Sequence, residues 1–459
     1  MVARLAGFVA EADIPDDLPV DDRILDTLGV ALGALRLDTS QAAVAHSTEM
    51  GGAPQATAIG IRDRLPAPNA AFVNGVLAHS LDYDDTHLPS VLHPSASVVP
   101  AALAGAELAG ASGAGLRAAV GAGLEVCVRL GMAGYDAQAR NSTYFDRGQH
   151  ATSMCGAIAG AAAAARLLGL DADGIGHAMG IAVSMASGVI EGNRTGGTVK
   201  RLHCGWAAQS AVTAAMLASR GFTGPASALE GRFGFFQAFL SGRFDGDAVV
   251  EGLGSRWEAR RIFVKPYPAN HFTHAGIDAA LALRERGLRP ERVQWIELGV
   301  AGPTVRTIGE PIESKRAPAT GYQAQFSGPY TVASALVGGS GLGLGLDDFS
   351  DELCREPVRQ ELAAKVSVVA DEWAGAIFPE QFPAVLRVRT TDGDELVERV
   401  EHNRGGPQRP LSPDELRRKF RDNALRVLPP DAIEGIEEAV TNGADAAAIL
   451  APATEAKGE

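Results

Sequence analysis

AHSLDYDDTHLPSVLHPSA, residues 78–96, is the stretch from which the rest of the chain is best read. It holds three carboxylates (Asp82, Asp84, Asp85) and three histidines (His79, His87, His93) between two runs of small apolar residues. Ionisable groups are costly to bury unless they are paired or used. A dense set of them joining two apolar helical patterns is therefore the first candidate for chemistry. Upstream, Pro68 and Asn69 open a helical pattern through Phe72, Val73, Val76 and Leu77. Downstream, Pro94 suits the first turn of a helix running on through Ala101–Ala109, with Pro100 expected to kink it or delay its start.

The same texture extends outward. Asp21 and Asp22 can cap a helix striped by Ile24, Leu25, Leu28, Leu32 and Leu35. Ala-rich helical patterns follow at 113–131, 152–168, 173–188 and 204–219. The polar loops 138–151 and 191–203 lie between them, and each ends in a histidine, His150 or His203, just ahead of a helix. Near residue 255 the pattern changes. VQWIELGV (293–300) and AKVSVVAD (364–371) read as strands, and 384–400 reads as a hairpin turning at Asp392-Gly393. Helical pattern persists at 272–286 and near 329–337. Ser412-Pro413-Asp414-Glu415 is a capping box that reopens helix. The expected fold is mainly α: a large all-helical domain built from residues 1–262 and 405–459, with a smaller α+β domain, 263–404, inserted as a lid.

Composition narrows the function. Of 459 residues, 46% are hydrophobic and 21% charged, which describes a folded globular chain. A net charge of -14 argues against a nucleic-acid partner, which needs a basic face. No apolar run of about 20 residues suggests a membrane span, and the start, MVARLAGFVAEADIPDD, has no signal-peptide core. The four cysteines are far apart and form no C-x-x-C pair, as expected of free buried thiols in a cytoplasmic protein.

Four segments place His, Lys or Arg beside an apolar helix: Asp82–His93, Arg147–Thr152, Lys200–His203 and Lys265–His274. Each alone reads as a capping or surface loop. Together, Arg147, Lys200, Arg201, Lys265 and the histidines would make one cationic pocket in an acidic protein, suited to a small substrate with several carboxylates. Asp82 and a histidine then become candidates for proton transfer. The Asp84, Asp85, His79, His87 and His93 set matches no metal-ligand spacing, so no metal is expected. GNRTGG (192–197) lacks a P-loop ending, and VSMASG (183–188) is not a nucleophile elbow.

AHSLDYDDTH followed by HPSASVVPAALA resembles the signature of the MmgE/PrpD family, which includes 2-methylcitrate dehydratase, cis-aconitate decarboxylase and iminodisuccinate epimerase. The likeness continues in GQHATSMCGAIAGAAAAARLLGLD, GGTVKRLHCGWAAQSAVTAAMLASRGFTGP, KPYPANHFTHAGIDA and QAQFSGPYTVASAL. It implies the two-domain helical and α+β architecture, a homodimer, a site between the domains, and chemistry without cofactor. By motif position it implies site roles for Asp82, Thr86, His93, His150, Lys200, Lys265 and Tyr330. Two departures bear on decarboxylation. The spacing from Thr86 to His93 is one residue longer than in animal cis-aconitate decarboxylases, and Asn270 stands where those enzymes carry a histidine.

The resulting expectation is a cofactor-independent lyase acting on a small di- or tricarboxylic acid. Dehydration of a 2-methylcitrate-like substrate stands first, with decarboxylation, epimerisation and a non-catalytic polycarboxylate-binding paralogue as alternatives. Lys200 and Lys265 would hold carboxylate and oxyanion charge. His93 or His150 would be the base and the other the acid, with Asp82 orienting a histidine. Thr86, Arg147, His203, His274 and Tyr330 would contact substrate.

Overall fold

The computed structural model describes residues 1–458, with Asn193 and Arg194 by backbone alone. The chain is mainly helical. It divides into two compact units, Met1–Ile262 with Phe420–Glu459, and Phe263–Lys419. The chain returns to the first unit at Phe420, inside the helix Pro413–Ala424, where the sequence reading set the return at residue 405. The capping box ahead of that helix is formed: Glu415 N donates to Ser412 Oγ (3.2 Å) and Ser412 N to Glu415 Oε2 (2.8 Å).

Six helices carry the centre of the first unit: α1 (Ala67–His79), α2 (Ser95–Ala109), α3 (Gly113–Ala133), α4 (Ala151–Leu167), α5 (Ala172–Met185) and α6 (Leu202–Ala218). Helix α6 packs against α1, α4, α5 and α2, while α4 also packs on α2 and α3. Small residues permit these close crossings. A Cβ on Gly75 would lie 2.8 Å from the Cys204 carbonyl oxygen, and one on Gly205 would lie 2.5 Å from the Phe72 carbonyl oxygen. Helices α1 and α6 therefore meet backbone to backbone. Gly156 closes on Ser97, and Gly160 on Ala211 and Ala101, so α4 is held between α2 and α6. The consequence is positional: His79 lies one helical turn beyond Gly75, and His203 lies two residues before Gly205.

Two local expectations change. Helix α2 starts at Ser95 and carries Pro100 in its interior, so the proline does not delay the start. Asp21 and Asp22 lie within the first turn of Val20–Ala34, where they complement the helix dipole without making a side-chain cap.

The second unit contains a four-stranded sheet of β1 (Val293–Val300), β2 (Val366–Ala370), β3 (Ala384–Thr390) and β4 (Glu395–Val400), in the order β2-β1-β3-β4. Strands β1 and β2 run parallel, with Ile296 opposite Val366; β3 is antiparallel to β1 and to β4. The helices His274–Glu285 and Gly328–Val337 pack on the sheet, burying Ile277 and Val332 with Leu298 and Leu386. All four cysteines are free and buried. Among the described residues, no helix is long and apolar enough to cross a membrane.

Candidate active site

The first unit gathers four of its histidines at or near helix ends. His79 is the last residue of α1, His150 is the N-cap of α4, His203 lies in the first turn of α6, and His93 sits two residues before α2. The loop between α1 and α2 is pinned along its length. Asp85 caps α2, accepting from Ser95 N (3.1 Å) and Ser95 Oγ (2.5 Å). His87 and Leu92 exchange backbone hydrogen bonds, and His87 Nδ1 is 2.7 Å from Ser90 Oγ. His93 N donates to Thr152 Oγ1 on α4 (3.2 Å). Asp82 holds a positive φ of 51°, an uncommon conformation for a non-glycine residue, and it does so within this cluster.

His150 is fixed in turn. Its N–H donates to the Gly188 carbonyl (3.0 Å). Gly188 has φ +140°, and a Cβ there would press to 3.2 Å on both His150 and Ser153. Ser153 Oγ donates to the His203 carbonyl (3.0 Å), tying α4 to α6.

These constraints produce a run of four imidazoles. Ring centroids are 5.0 Å apart for His93 and His79, 5.3 Å for His79 and His150, and 4.9 Å for His150 and His203. Asp84 Oδ2 lies 2.7 Å from His79 Nδ1 and 3.4 Å from His93 Nδ1. On its other edge, His93 Nε2 is 3.7 Å from Asp82 Oδ1, and the same oxygen accepts from Lys200 Nζ at 3.3 Å. His150 and His203 face each other through Nδ1 atoms 3.0 Å apart. One must donate and the other accept, so this contact carries a single proton.

Burial sets the protonation pattern. It drives His79 below the usual histidine range, against the pull of Asp84. It drives His150 well below that range, with the positive charges of His79, Lys200 and His203 acting in the same direction. His203 falls to about 4 by burial and by its proximity to His79 and Lys200. Asp84 goes the other way. Burial alone would raise it, but His93 and His79, by charge and hydrogen bond, hold it well below the ordinary carboxylate value. Its neighbour Asp85 is pushed up to about 6 by burial, which the Arg23 charge and the Ser95 hydrogen bonds offset only in part. Two adjacent carboxylates are thus separated in role: one is an ion between imidazoles, the other a helix cap.

Asp82, His93, His150, Lys200 and His203 are therefore brought into one cluster. Thr86 is close by in sequence, and its Oγ1 is buried with no hydrogen-bond partner. Arg147 is exposed, and no hydrogen bond or ion pair ties it to these groups. Lys265, His274 and Tyr330 belong to the second unit and are buried there. His274 Nε2 is 3.1 Å from the Ala269 carbonyl, and the Tyr330 hydroxyl donates to the Asp348 carbonyl at 2.6 Å. His79 and Asp84 were not among the site residues chosen from sequence, yet they lie at the middle of the cluster. The signal for His79 was its place one turn after a glycine in an otherwise apolar helix. His79, Asp84 and His93 each offer a ligand atom within 4.8 Å of the others, close enough to hold a divalent cation. The hydrogen bond from His79 to Asp84 satisfies that pair by itself.

Comparison with known proteins gives the family of the chain. Residues 3–246 match the MmgE/PrpD N-terminal domain, and residues 267–443 match the MmgE/PrpD C-terminal domain. Human cis-aconitate decarboxylase is 31% identical over 438 residues, covering 91% of this chain and 85% of the human protein. The mouse cis-aconitate decarboxylase is also 31% identical, over 90% of this chain and 83% of its own. The cis-aconitate decarboxylase of Aspergillus terreus is 27% identical over 99% of this chain and 94% of its own. Matched by both domains of one family and by relatives along nearly all of its length, the chain belongs to the MmgE/PrpD family.

Proposed function

We propose that this chain is a lyase that decarboxylates a small unsaturated tricarboxylate of the cis-aconitate type, using the imidazole cluster to handle the proton. The observation that carries the proposal is the Lys200–Asp82–His93 contact, set where three helices (α2, α4 and α6) begin around His93, His150 and His203. Helix N-termini carry partial positive charge, and a lysine beside them favours anions further. A polycarboxylate fits such a site, and neutral imidazoles are suited to exchanging protons with it.

In the proposed reaction the bond from carbon to one carboxylate breaks, CO2 leaves, and the electron pair stays on carbon, delocalised into a neighbouring carboxylate. Lys200 stabilises that oxyanion charge as it develops. His93 or His150 delivers the proton that the carbanion takes up, giving an unsaturated dicarboxylate. Thr86 supplies a hydroxyl with no partner in the protein. The reaction uses no cofactor, and the active species is a cytoplasmic homodimer.

The shared identity with cis-aconitate decarboxylases moves decarboxylation ahead of dehydration. Dehydration of a hydroxy-tricarboxylate stays as the second reading because the family also includes 2-methylcitrate dehydratase. The test incubates chelator-treated protein with cis-aconitate, citrate isomers, 2-methylcitrate and iminodisuccinate. CO2 release from cis-aconitate supports the first reading, and a new C=C absorbance from the hydroxy acids supports the second. Calorimetric binding of these acids without any turnover would overturn both. Light scattering tests the dimer.

A further inference from the structure

Asp84 and His79 are deeply buried, with the Asp84 side chain 1% exposed and the His79 side chain fully enclosed. The proposed reaction gives neither of them a bond to substrate. Yet a single oxygen of Asp84, Oδ2, lies against two histidines at once, His79 Nδ1 at 2.7 Å and His93 Nδ1 at 3.4 Å. Burying a carboxylate so completely is costly unless it is paired and hydrogen-bonded. Its Oδ1 has no hydrogen-bond partner, so the contacts of Oδ2 carry the compensation. His79 touches the next ring as well, with its centroid 5.3 Å from that of His150.

We propose that Asp84 and His79 form a buried positioning couple for His93: Asp84 Oδ2 holds the Nδ1 edge of the His93 ring by charge at 3.4 Å and without a hydrogen bond, leaving Nε2 directed to Asp82, and His79 holds Asp84 in place. The inference rests on the function proposed above, in which His93 exchanges a proton. Two requirements follow. His79 must carry its proton on Nδ1, because a carboxylate only accepts. Its Nε2 is then an unprotonated nitrogen, and this atom is buried without a hydrogen-bond partner. The couple also lies between His93 and His150, so it fixes the distance between the two candidate acid–base groups. A group that orients a catalytic histidine affects the rate of the chemical step more than substrate affinity.

Replacement of the two residues separates this role from simple packing. Asp84→Asn keeps the side-chain size and removes the charge. We expect it to lower kcat on the order of 10²-fold with KM changed less than about threefold, the loss typical of a misdirected acid–base group. His79→Ala should behave the same way, and His79→Asn should recover most of the rate, because an asparagine amide can donate to Asp84 from the place of Nδ1. Asp84→Asn with unchanged kcat, or His79→Asn no better than His79→Ala in folded protein, would overturn the proposal. A second measurement needs no turnover. In protein labelled with ¹⁵N-histidine, His79 should show the neutral Nδ1–H tautomer near pH 7 and lose it in Asp84→Ala. An Nε2–H tautomer in the unsubstituted protein overturns the couple. If no acid in the panel is turned over, the proposed function fails, and the tautomer still decides this one.

Discussion

Each unit buries a polar cluster, and the two are built on opposite terms. In the second unit Tyr267 donates to Asp278 at 2.6 Å, Arg404 donates to the Tyr267 hydroxyl at 3.1 Å, and Arg409 pairs with Asp278 at 3.1 Å. Arg404 is also paired with Glu415. Each of these groups has a protein partner of the right kind, so the cluster is closed, as a structural network should be. The first unit's cluster is open. His79 Nε2, Asp84 Oδ1 and Thr86 Oγ1 are buried without a hydrogen-bond partner. Three of its imidazoles (His79, His150 and His203) are driven towards the neutral form by burial. A closed network stabilises the fold, whereas an open one costs stability and leaves capacity for a ligand. That difference, more than the number of charged residues, separates a candidate site from a buried salt-bridge knot.

The contrast can be broken at several points. The largest effect is expected at the open cluster. His93→Ala should reduce turnover by about 10²–10⁴-fold while the melting temperature changes little, as checked by steady-state kinetics beside calorimetry. At the closed cluster the effects should reverse. Asp278→Ala leaves Tyr267 without its acceptor and Arg409 without its pair, and should cost about 3 kcal/mol of stability in denaturant titration. The rate per folded molecule should stay within about threefold. A large catalytic defect in folded Asp278→Ala would erase the distinction between the clusters.

Packing links the fold to the open cluster. Gly205→Ala places a methyl against the backbone of α1, 2.5 Å from the Phe72 carbonyl oxygen. Overpacking of this kind costs about 1–3 kcal/mol. Because it also separates His203 from α1, turnover should fall alongside stability. Full activity in a stable Gly205→Ala protein would mean that this crossing does not position the histidines.

The last effect is one of pH. Burial lowers His87 to about 3. Below pH 6.5 the unfolded chain protonates this residue and the folded chain does not, so stability falls as pH drops from 6.5 towards 3, by up to about 1.4 kcal/mol per unit. His79, His150 and His203 add to the same slope. Asp85 acts in the opposite direction. With its folded value raised to about 6, it takes up its proton before the unfolded chain does, so it stabilises as pH falls from about 6 towards 4. Stability measured from pH 7 to 4.5 should therefore flatten in His87→Gln and steepen in Asp85→Asn. Parallel curves for the two variants would contradict the assigned protonation states.

Much of this was legible in the sequence because it depends on local pattern. Helical periodicity located α1 to α6 within a few residues, alternation located β1 and the β3–β4 hairpin, and the capping box at Ser412 formed as its spacing requires. The polar stretch between two apolar helices held Asp82 and His93 among its candidates and the family motif singled them out, while loops ending in histidine pointed to His150 and His203. The roles of Asp84 and Asp85 could not be separated this way. They are adjacent in sequence and chemically alike, and only the path of the loop sends one to two imidazoles and the other to the start of α2.

The sequence by itself determined the spans of α1 to α6 to within a few residues and which ionisable residues stand near their ends, because capping, periodicity and turn chemistry act over three or four residues. Only the tertiary structure decided which ends meet. That depends on the Gly75–Gly205 crossing and the small-residue contacts of α4. These bring residues 70 to 120 positions apart within a few ångströms of one another and exclude water from them. The shifted protonation states of the cluster follow from that exclusion, since desolvation and charge proximity are properties of the packed interior and of no single segment.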